Sequence, residues 1–120
     1  LVRTVEIDAV LELREITERA IGDLFALAPF GHGNPPPMLA ALGAEVVNAM
    51  VWKERHLRLT LRQNGRTLAL KAWNFAARAG ELAPGTRIDA AFQLEEDPYS
   101  AARGYPAWAA VLRDFRPAGG

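Results

Sequence analysis

Residues 56–72 constrain the fold of this 120-residue chain most strongly, because they predict both a hairpin and its register. Residues 56–63 read His-Leu-Arg-Leu-Thr-Leu-Arg-Gln, a strict polar–apolar alternation, and Asn64-Gly65 follows them. Asn-Gly between alternating segments indicates a two-residue type I′ turn. That turn pairs Gln63 with Arg66 and gives every inward leucine an apolar partner, so the register supports itself. The inward pairs are Leu61 with Leu68, Leu59 with Leu70, and Leu57 with Ala72.

Other segments supply the remaining elements of a small barrel. Residues 44–52, 86–95 and 105–115 have strand-like patterns, whereas residues 75–82 are alanine-rich and predict a short helix. Three strands, a helix and two more strands is the order of an OB-fold, a five-stranded Greek-key barrel. We therefore predict a mainly β chain with an OB-fold domain over residues 38–117, followed by a tail over 118–120.

In front of the barrel the sequence predicts a helical extension and a connector, which together occupy residues 1–37. Thr17 is a good N-cap, and apolar side chains follow it at helical spacing, so we expect a helix over residues 18–27. Residues 2–7 alternate loosely and indicate a short strand. Residues 9–16 fit either a helical turn or an extended segment.

The connector is Pro29-Phe30-Gly31-His32-Gly33-Asn34-Pro35-Pro36-Pro37. Its four prolines fix φ and remove backbone donors, so no helix passes through it. Gly31 and Gly33 permit a positive φ or a close backbone approach, and Asn34 is suited to bonding nearby backbone. We expect a rigid connector that Phe30 seats on the core, with His32 exposed rather than acting as a ligand.

The same nine residues carry a resemblance. Pro29, Phe30, Gly31, Gly33, Asn34 and Pro35 match a pattern that resembles the entry to the OB-fold domain of RecJ, a single-stranded-DNA-specific exonuclease of the DHH phosphoesterase family. The similarity continues through residues 56–59 to 114–117. It implies a DNA-binding accessory domain beside the catalytic domains of one parent chain. That parent would be a 5′-3′ exonuclease of DNA repair and recombination that uses Mn or Mg. A cytoplasmic location is expected separately, because the sequence contains neither an apolar run of membrane-span length nor a signal-peptide pattern.

Composition excludes several kinds of chemistry from these residues. The chain contains no cysteine, which excludes disulfides, thiolate catalysis and Cys-based zinc sites. No apolar run approaches the ~20 residues that a membrane span requires. Ser100 is the only serine, and the two histidines lack metal-binding spacing. We expect no catalytic residue, metal or cofactor here, and Leu1 in place of an initiator methionine indicates a piece of a longer protein.

Charge is balanced overall but unevenly distributed. The chain has 14 basic and 14 acidic residues. Residues 52–73 nevertheless contain six basic side chains against the single acid Glu54. A local basic patch attracts an anion that the whole molecule would not, so this segment is the expected nucleic-acid contact.

The hairpin register places the basic residues of this segment on its outward face. Arg58 faces Lys71 across the strands, a like-charge pair that destabilises a sheet unless an anion lies across it. His56 faces Trp73, whose ring offers a surface for base stacking, and Trp52 is an alternative stacking residue. The candidate nucleic-acid-binding residues are Lys53, Arg55, His56, Arg58, Arg62, Lys71 and Trp73.

A second interpretation remains open. OB-folds bind through the loops between strands one and two and between strands four and five, here residues 52–55 and 96–104. Glu95-Glu96-Asp97 opens the second loop with three acids, which would repel phosphate. The zero net charge and these acids favour a structural scaffold that packs against a nuclease core and touches DNA little. The basic cluster favours single-stranded-DNA binding.

Overall fold

The computed structural model describes residues 5–31 and 33–119. Its strands and helices follow the predicted order, with additional short elements near the N-terminus and in the last loop. The strands are β1 (Ala9–Val10), β2 (Leu39–Trp52), β3 (His56–Gln63), β4 (Arg66–Ala72), β5 (Arg87–Glu96) and β6 (Trp108–Pro117). The α-helices are α1 (Glu18–Phe25) and α2 (Pro98–Ala102), and 3₁₀ helices cover Leu13–Glu15 and Ala76–Glu81.

Strands β2 to β6 form a closed five-stranded barrel, which confirms the predicted OB-fold. The sheet order is β2-β3-β4-β6-β5, and β5 returns to pair with β2. Only β4 and β6 run parallel among these neighbours. The 14-residue β2 pairs with β5 along its first part and with β3 along its second part. Register shifts at Ala41/Ala44 and Val46/Asn48 accompany this change of partner.

The hairpin of β3 and β4 has the predicted register throughout. Gln63 pairs with Arg66 and Leu59 with Leu70, around a turn in which Asn64 and Gly65 have φ values of 49° and 79°. Both central residues are therefore left-handed, as a type I′ turn requires. The five inward leucines of the two strands are at most 4% exposed.

The N-terminal segment contributes side chains to the same core as the barrel. Leu13, Ile16 and Ile21 are each at most 5% exposed. The hairpin holds this segment by two bonds: the Leu13 N–H donates to Gln63 Oε1 over 2.7 Å, and Arg66 Nη2 donates to the Ile16 carbonyl over 2.8 Å. The extension thus packs directly against the core.

Several element boundaries differ from the predictions. Of the predicted strand over residues 2–7, the part up to residue 4 lies outside the described residues and the remainder is not a strand; the observed strand is Ala9–Val10. Strand β2 begins at Leu39 because its first part pairs with β5, although Leu-Ala-Ala-Leu-Gly lacks a clear alternation. Helix α1 ends at Phe25, two residues before the predicted end at residue 27. The alanine-rich segment is a 3₁₀ helix, which has no side-chain N-cap.

In the connector, Asn34 makes the defining contacts. Its side-chain amide donates to the Pro29 carbonyl over 3.0 Å, and its backbone exchanges two hydrogen bonds with Gly31. The close backbone approach that Gly31 and Gly33 would permit is not observed, because a Cβ on either would meet nothing within 4 Å, and Gly31 has no positive φ. Phe30 is half-buried. His32 lies outside the described residues.

Candidate nucleic-acid interface

Three aromatic rings meet where β2 ends and β3 begins. Trp52 and His56 are a cross-strand pair with ring centroids 5.5 Å apart. Trp73 directly follows β4, and its ring lies 5.2 Å from Trp52 and 5.0 Å from His56. We call these three residues the aromatic cluster. Local sequence builds it, because the short turn returns β3 beside β2 and the hairpin register brings Trp73 opposite His56.

His56 is held in one orientation within the cluster. The backbone N–H of Asn74 donates to His56 Nδ1 over 2.9 Å, and Asn74 has a φ of 64° that turns the chain back toward the ring. A neutral imidazole that accepts at Nδ1 carries its proton on Nε2. The cluster therefore contains one fixed hydrogen-bond donor between two indoles. Trp73 is 39% exposed and leaves the most accessible ring surface.

Two cations lie over the Trp52 ring. The Arg58 guanidinium carbon is 4.9 Å from the ring centroid and the Lys53 ammonium is 5.1 Å from it. Lys53 belongs to the tight turn between β2 and β3, where Lys53 and Glu54 both have positive φ values. Within the described part of the chain, Arg58 forms no ion pair. Its charge is oriented by the ring and left available to an anion.

Arg62 and Lys71 differ from Arg58 because each already has an acidic partner. Arg62 Nη2 lies 3.2 Å from Glu45 Oε2. Lys71 Nζ lies 3.6 Å from Asp97 Oδ2. The anion expected to relieve the Arg58–Lys71 pair is thus present in the protein itself: Asp97, the first residue of the loop after β5.

Asp97 is fixed at the start of that loop, residues 97–107. Its carboxylate accepts hydrogen bonds from the Ser100 N–H over 3.1 Å and the Ser100 hydroxyl over 2.8 Å, and it caps α2. The Asp97 N–H donates to the Ala107 carbonyl over 2.7 Å, which closes the loop. Hydrogen bonds from Ser100, together with the Lys71 charge, hold the pKa of Asp97 below its usual range, so the carboxylate is ionised at neutral pH.

The structure brings most of the predicted site residues together. Lys53, Arg55, His56 and Trp73 surround the β2–β3 turn, where Arg55 is exposed. Arg58 and Lys71 form a direct cross-strand pair on the same outward face. Arg62 stands apart, because four residues of strand place it about 13 Å from Arg58.

Sequence reasoning missed the residues that neutralise or orient this face. Glu45, Asn74 and Asp97 contact it from other segments, and alternation within a strand carries no information on such contacts. Asp97-Pro98 does carry a helix-start signal, since an acidic N-cap followed by proline favours a first turn. Two aromatic side chains, Tyr99 and Tyr105, are 82% and 67% exposed on the same loop.

A second surface is formed by residues outside the β3–β4 hairpin. A groove of about 410 Å³ runs over β2, β5 and β6, and apolar side chains including Ile7 and Leu42 line it. Ile7 is 40% and Leu42 48% exposed. Asp89 and Arg116 form an ion pair of 3.1 Å at its rim. We call this surface the apolar groove.

Two features are absent from residues 5–31 and 33–119. In these ranges no three His, Cys, Asp or Glu side chains lie close enough to hold a metal ion together. No helix in the same ranges has the length and apolar character needed to cross a membrane.

Comparisons with known proteins agree with this architecture. The chain is 29% identical over 85 residues to the Bacillus subtilis single-stranded-DNA-specific exonuclease RecJ, and the match covers 69% of this chain and 11% of that protein. A solved structure described as "Structure and Conformational Change of a Replication Protein A Heterotrimer Bound to ssDNA" superposes with a TM-score of 0.52 at 11% identity, covering 81% of this chain and 76% of that one. The family profile described as RecJ OB domain matches residues 7–105. The chain therefore belongs to the RecJ OB domain family.

Proposed function

We propose that this domain binds single-stranded DNA through the aromatic cluster and Arg58. The observation that carries the proposal is the Arg58 guanidinium, which pairs with no described acid and lies over the Trp52 ring, itself 5.2 Å from the exposed Trp73 ring. These residues lie on the strand face and turn that OB-folds use for oligonucleotides. Stacking on an aromatic ring contributes about 1–3 kcal/mol per base and tolerates any base. A phosphate contact adds a sequence-independent term.

The geometry suggests how one nucleotide is held. A base lies on the accessible Trp73 ring while the neighbouring phosphate meets Arg58, which Trp52 orients. Lys53 and Arg55 extend the positive charge along the β2–β3 turn. His56 Nε2–H supplies a donor between the two indoles. Lys71 and Arg62 contribute less in the free domain because their charges are paired.

The role of a larger protein belongs to the same proposal. Since the chain spans about a ninth of the length of the Bacillus subtilis relative, the nuclease would reside in other domains of a parent chain. We propose that this parent is a RecJ-like 5′-3′ exonuclease of DNA repair and recombination, cytoplasmic and dependent on Mn or Mg. The OB domain would hold the strand beside the catalytic domains and perform no hydrolysis.

A scaffold role is the second candidate, and the apolar groove favours it. The exposed apolar side chains of this groove fit packing against another domain of the parent chain. The ion pairs of Arg62 and Lys71 also reduce the free positive charge that DNA would meet. Because the two surfaces consist of different residues, one domain can serve both roles.

The decisive experiment titrates a labelled single-stranded oligothymidylate into the domain over a range of salt concentrations. Arg58→Gln should weaken binding and flatten the log-affinity against log-salt slope by about 0.7, the value for one phosphate of a single strand. Arg62→Gln is the matched control on the same strand face. This variant should leave the slope nearly unchanged, because Arg62 already forms an ion pair with Glu45.

Absence of measurable binding at about 50 mM salt, where electrostatic contacts are strong, would contradict the proposal and leave the scaffold role. Equal effects of Arg58→Gln and Arg62→Gln on the slope would contradict the assignment of the phosphate contact to Arg58.

A further inference from the structure

The loop after β5 places one fixed negative charge at the edge of the proposed DNA-binding face. Asp97 is immobilised by its two bonds from Ser100 and by the Asp97–Ala107 backbone bond. Its side chain is only 15% exposed. Lys71 is different, since its ammonium sits at the end of a flexible stem and its side chain is 42% exposed. In the Lys71–Asp97 pair the acid is therefore the anchor and the lysine the mobile partner.

The neighbouring acids do not share this position. Glu95 is paired with Arg113 over 3.1 Å on the surface of β5 and β6. Glu96 is exposed and, among the described residues, makes no ion pair. Of the three acids, Asp97 alone contacts a cation that faces Arg58 across the hairpin.

We propose that Asp97 is a specificity-determining residue of the single-stranded-DNA face. By pairing with Lys71 it keeps that lysine from the DNA and confines phosphate contact to the Arg58 side of the face. This inference rests on the proposed function. A phosphate that reached Lys71 would have to displace a carboxylate that cannot move away, and it would remain close to that negative charge. The DNA strand therefore follows the aromatic cluster and the β2–β3 turn, and no phosphate lies at the edge of the loop after β5.

Asp97→Asn provides a test in the 120-residue chain. Asparagine caps a helix about as well as aspartate, so α2 keeps its N-cap while the charge is lost. Lys71 then becomes available to a phosphate. We expect tighter binding of single-stranded oligothymidylate and a salt slope steeper by about 0.7, because one more phosphate is neutralised.

Two controls separate this effect from a general loss of negative charge. Glu96→Gln removes a neighbouring charge without freeing a cation, so it should leave the salt slope unchanged. In a Lys71→Gln background, Asp97→Asn should no longer steepen the slope, since the cation that it frees is gone. Melting temperatures of all variants check that the loop remains folded.

The possible failures are distinguishable. If the unmodified chain binds but Asp97→Asn leaves the slope unchanged, or steepens it equally without Lys71, this inference is wrong and the proposed function stands. If neither the unmodified chain nor Asp97→Asn binds at about 50 mM salt, the proposed function fails and this inference fails with it.

Discussion

The two faces of the β3–β4 hairpin are made by alternate residues of the same strands, yet different parts of the chain determine them. On the inward face, Leu57, Leu59 and Leu61 meet apolar partners from the adjacent strand and are at most 1% exposed. On the outward face, Arg62 and Lys71 find their partners in β2 and in the loop after β5. The inward face is specified within the hairpin, whereas the outward face is completed by distant segments.

This difference separates stability from binding. The described core contains no buried polar or charged side chain, so its contribution to folding is hydrophobic and involves no ion pair. The outward face holds exposed charges, whose ion pairs contribute about 0–1 kcal/mol each to stability. Substitutions on the inward face should therefore change folding, and those on the outward face should change ligand binding.

The largest expected effect comes from Leu59→Ala on the inward face. Leu59 is 1% exposed and pairs with Leu70, so truncation leaves a cavity and should lower the free energy of unfolding by about 2–5 kcal/mol. Urea denaturation at constant m-value measures the change. Arg58→Gln, one residue away on the outward face, should stay within about 0.5 kcal/mol. Similar losses for both variants would remove the distinction between the faces.

The inward face was predictable residue by residue because two local signals agree there. Alternation fixes which side chains are buried, and Asn64-Gly65 fixes how the strands pair. The order of strands and helices was then sufficient to predict the OB-fold. The first part of β2 was not predictable in the same way, since its residues pair with β5 about 50 positions later and lack a period-two pattern.

The outward face was predictable in composition but not in electrostatics. The basic residues and Trp73 lie where the hairpin register places them. The acids that neutralise Arg62 and Lys71 are 17 and 26 positions away in sequence, and only the closed barrel brings them near. Glu95-Glu96-Asp97 was expected to act as one acidic run, but the structure gives its members different neighbours, because side chains alternate along β5 and the chain turns into α2 after it.

A smaller effect, confined to binding, is expected for Trp73→Ala. Loss of one stacking surface should weaken oligothymidylate binding by about 1–3 kcal/mol, a factor of about 5 to 150 in Kd. The salt slope should not change, because stacking releases no counterions. Trp73→Phe is the conservative control and should keep much of the affinity. Fluorescence anisotropy at two salt concentrations measures both quantities.

The opposite result would be equally informative. If Trp73→Ala lowered the melting temperature strongly and left Kd unchanged, the aromatic cluster would serve packing, as the scaffold role requires. The outward and inward faces of the hairpin would then both contribute to stability, and the assignment of binding alone to the outward face would be wrong.

The smallest expected effect is a pH dependence that arises from the outward surface alone. Hydrogen bonds from Ser100 lower the pKa of Asp97, so the folded protein binds a proton there less readily than the unfolded chain does. The resulting stabilisation is present above the carboxyl pKa of the unfolded chain, about 4, and is lost as pH falls through the lower folded value. The melting temperature should therefore decline on acidification, and it should decline less in Asp97→Asn, whose amide does not titrate. Because the buried leucines carry no titratable group, the barrel should remain folded over this interval. An equal decline in both proteins would show that the carboxylate bonds contribute nothing in solution, and the fixed position of Asp97 would have to be abandoned.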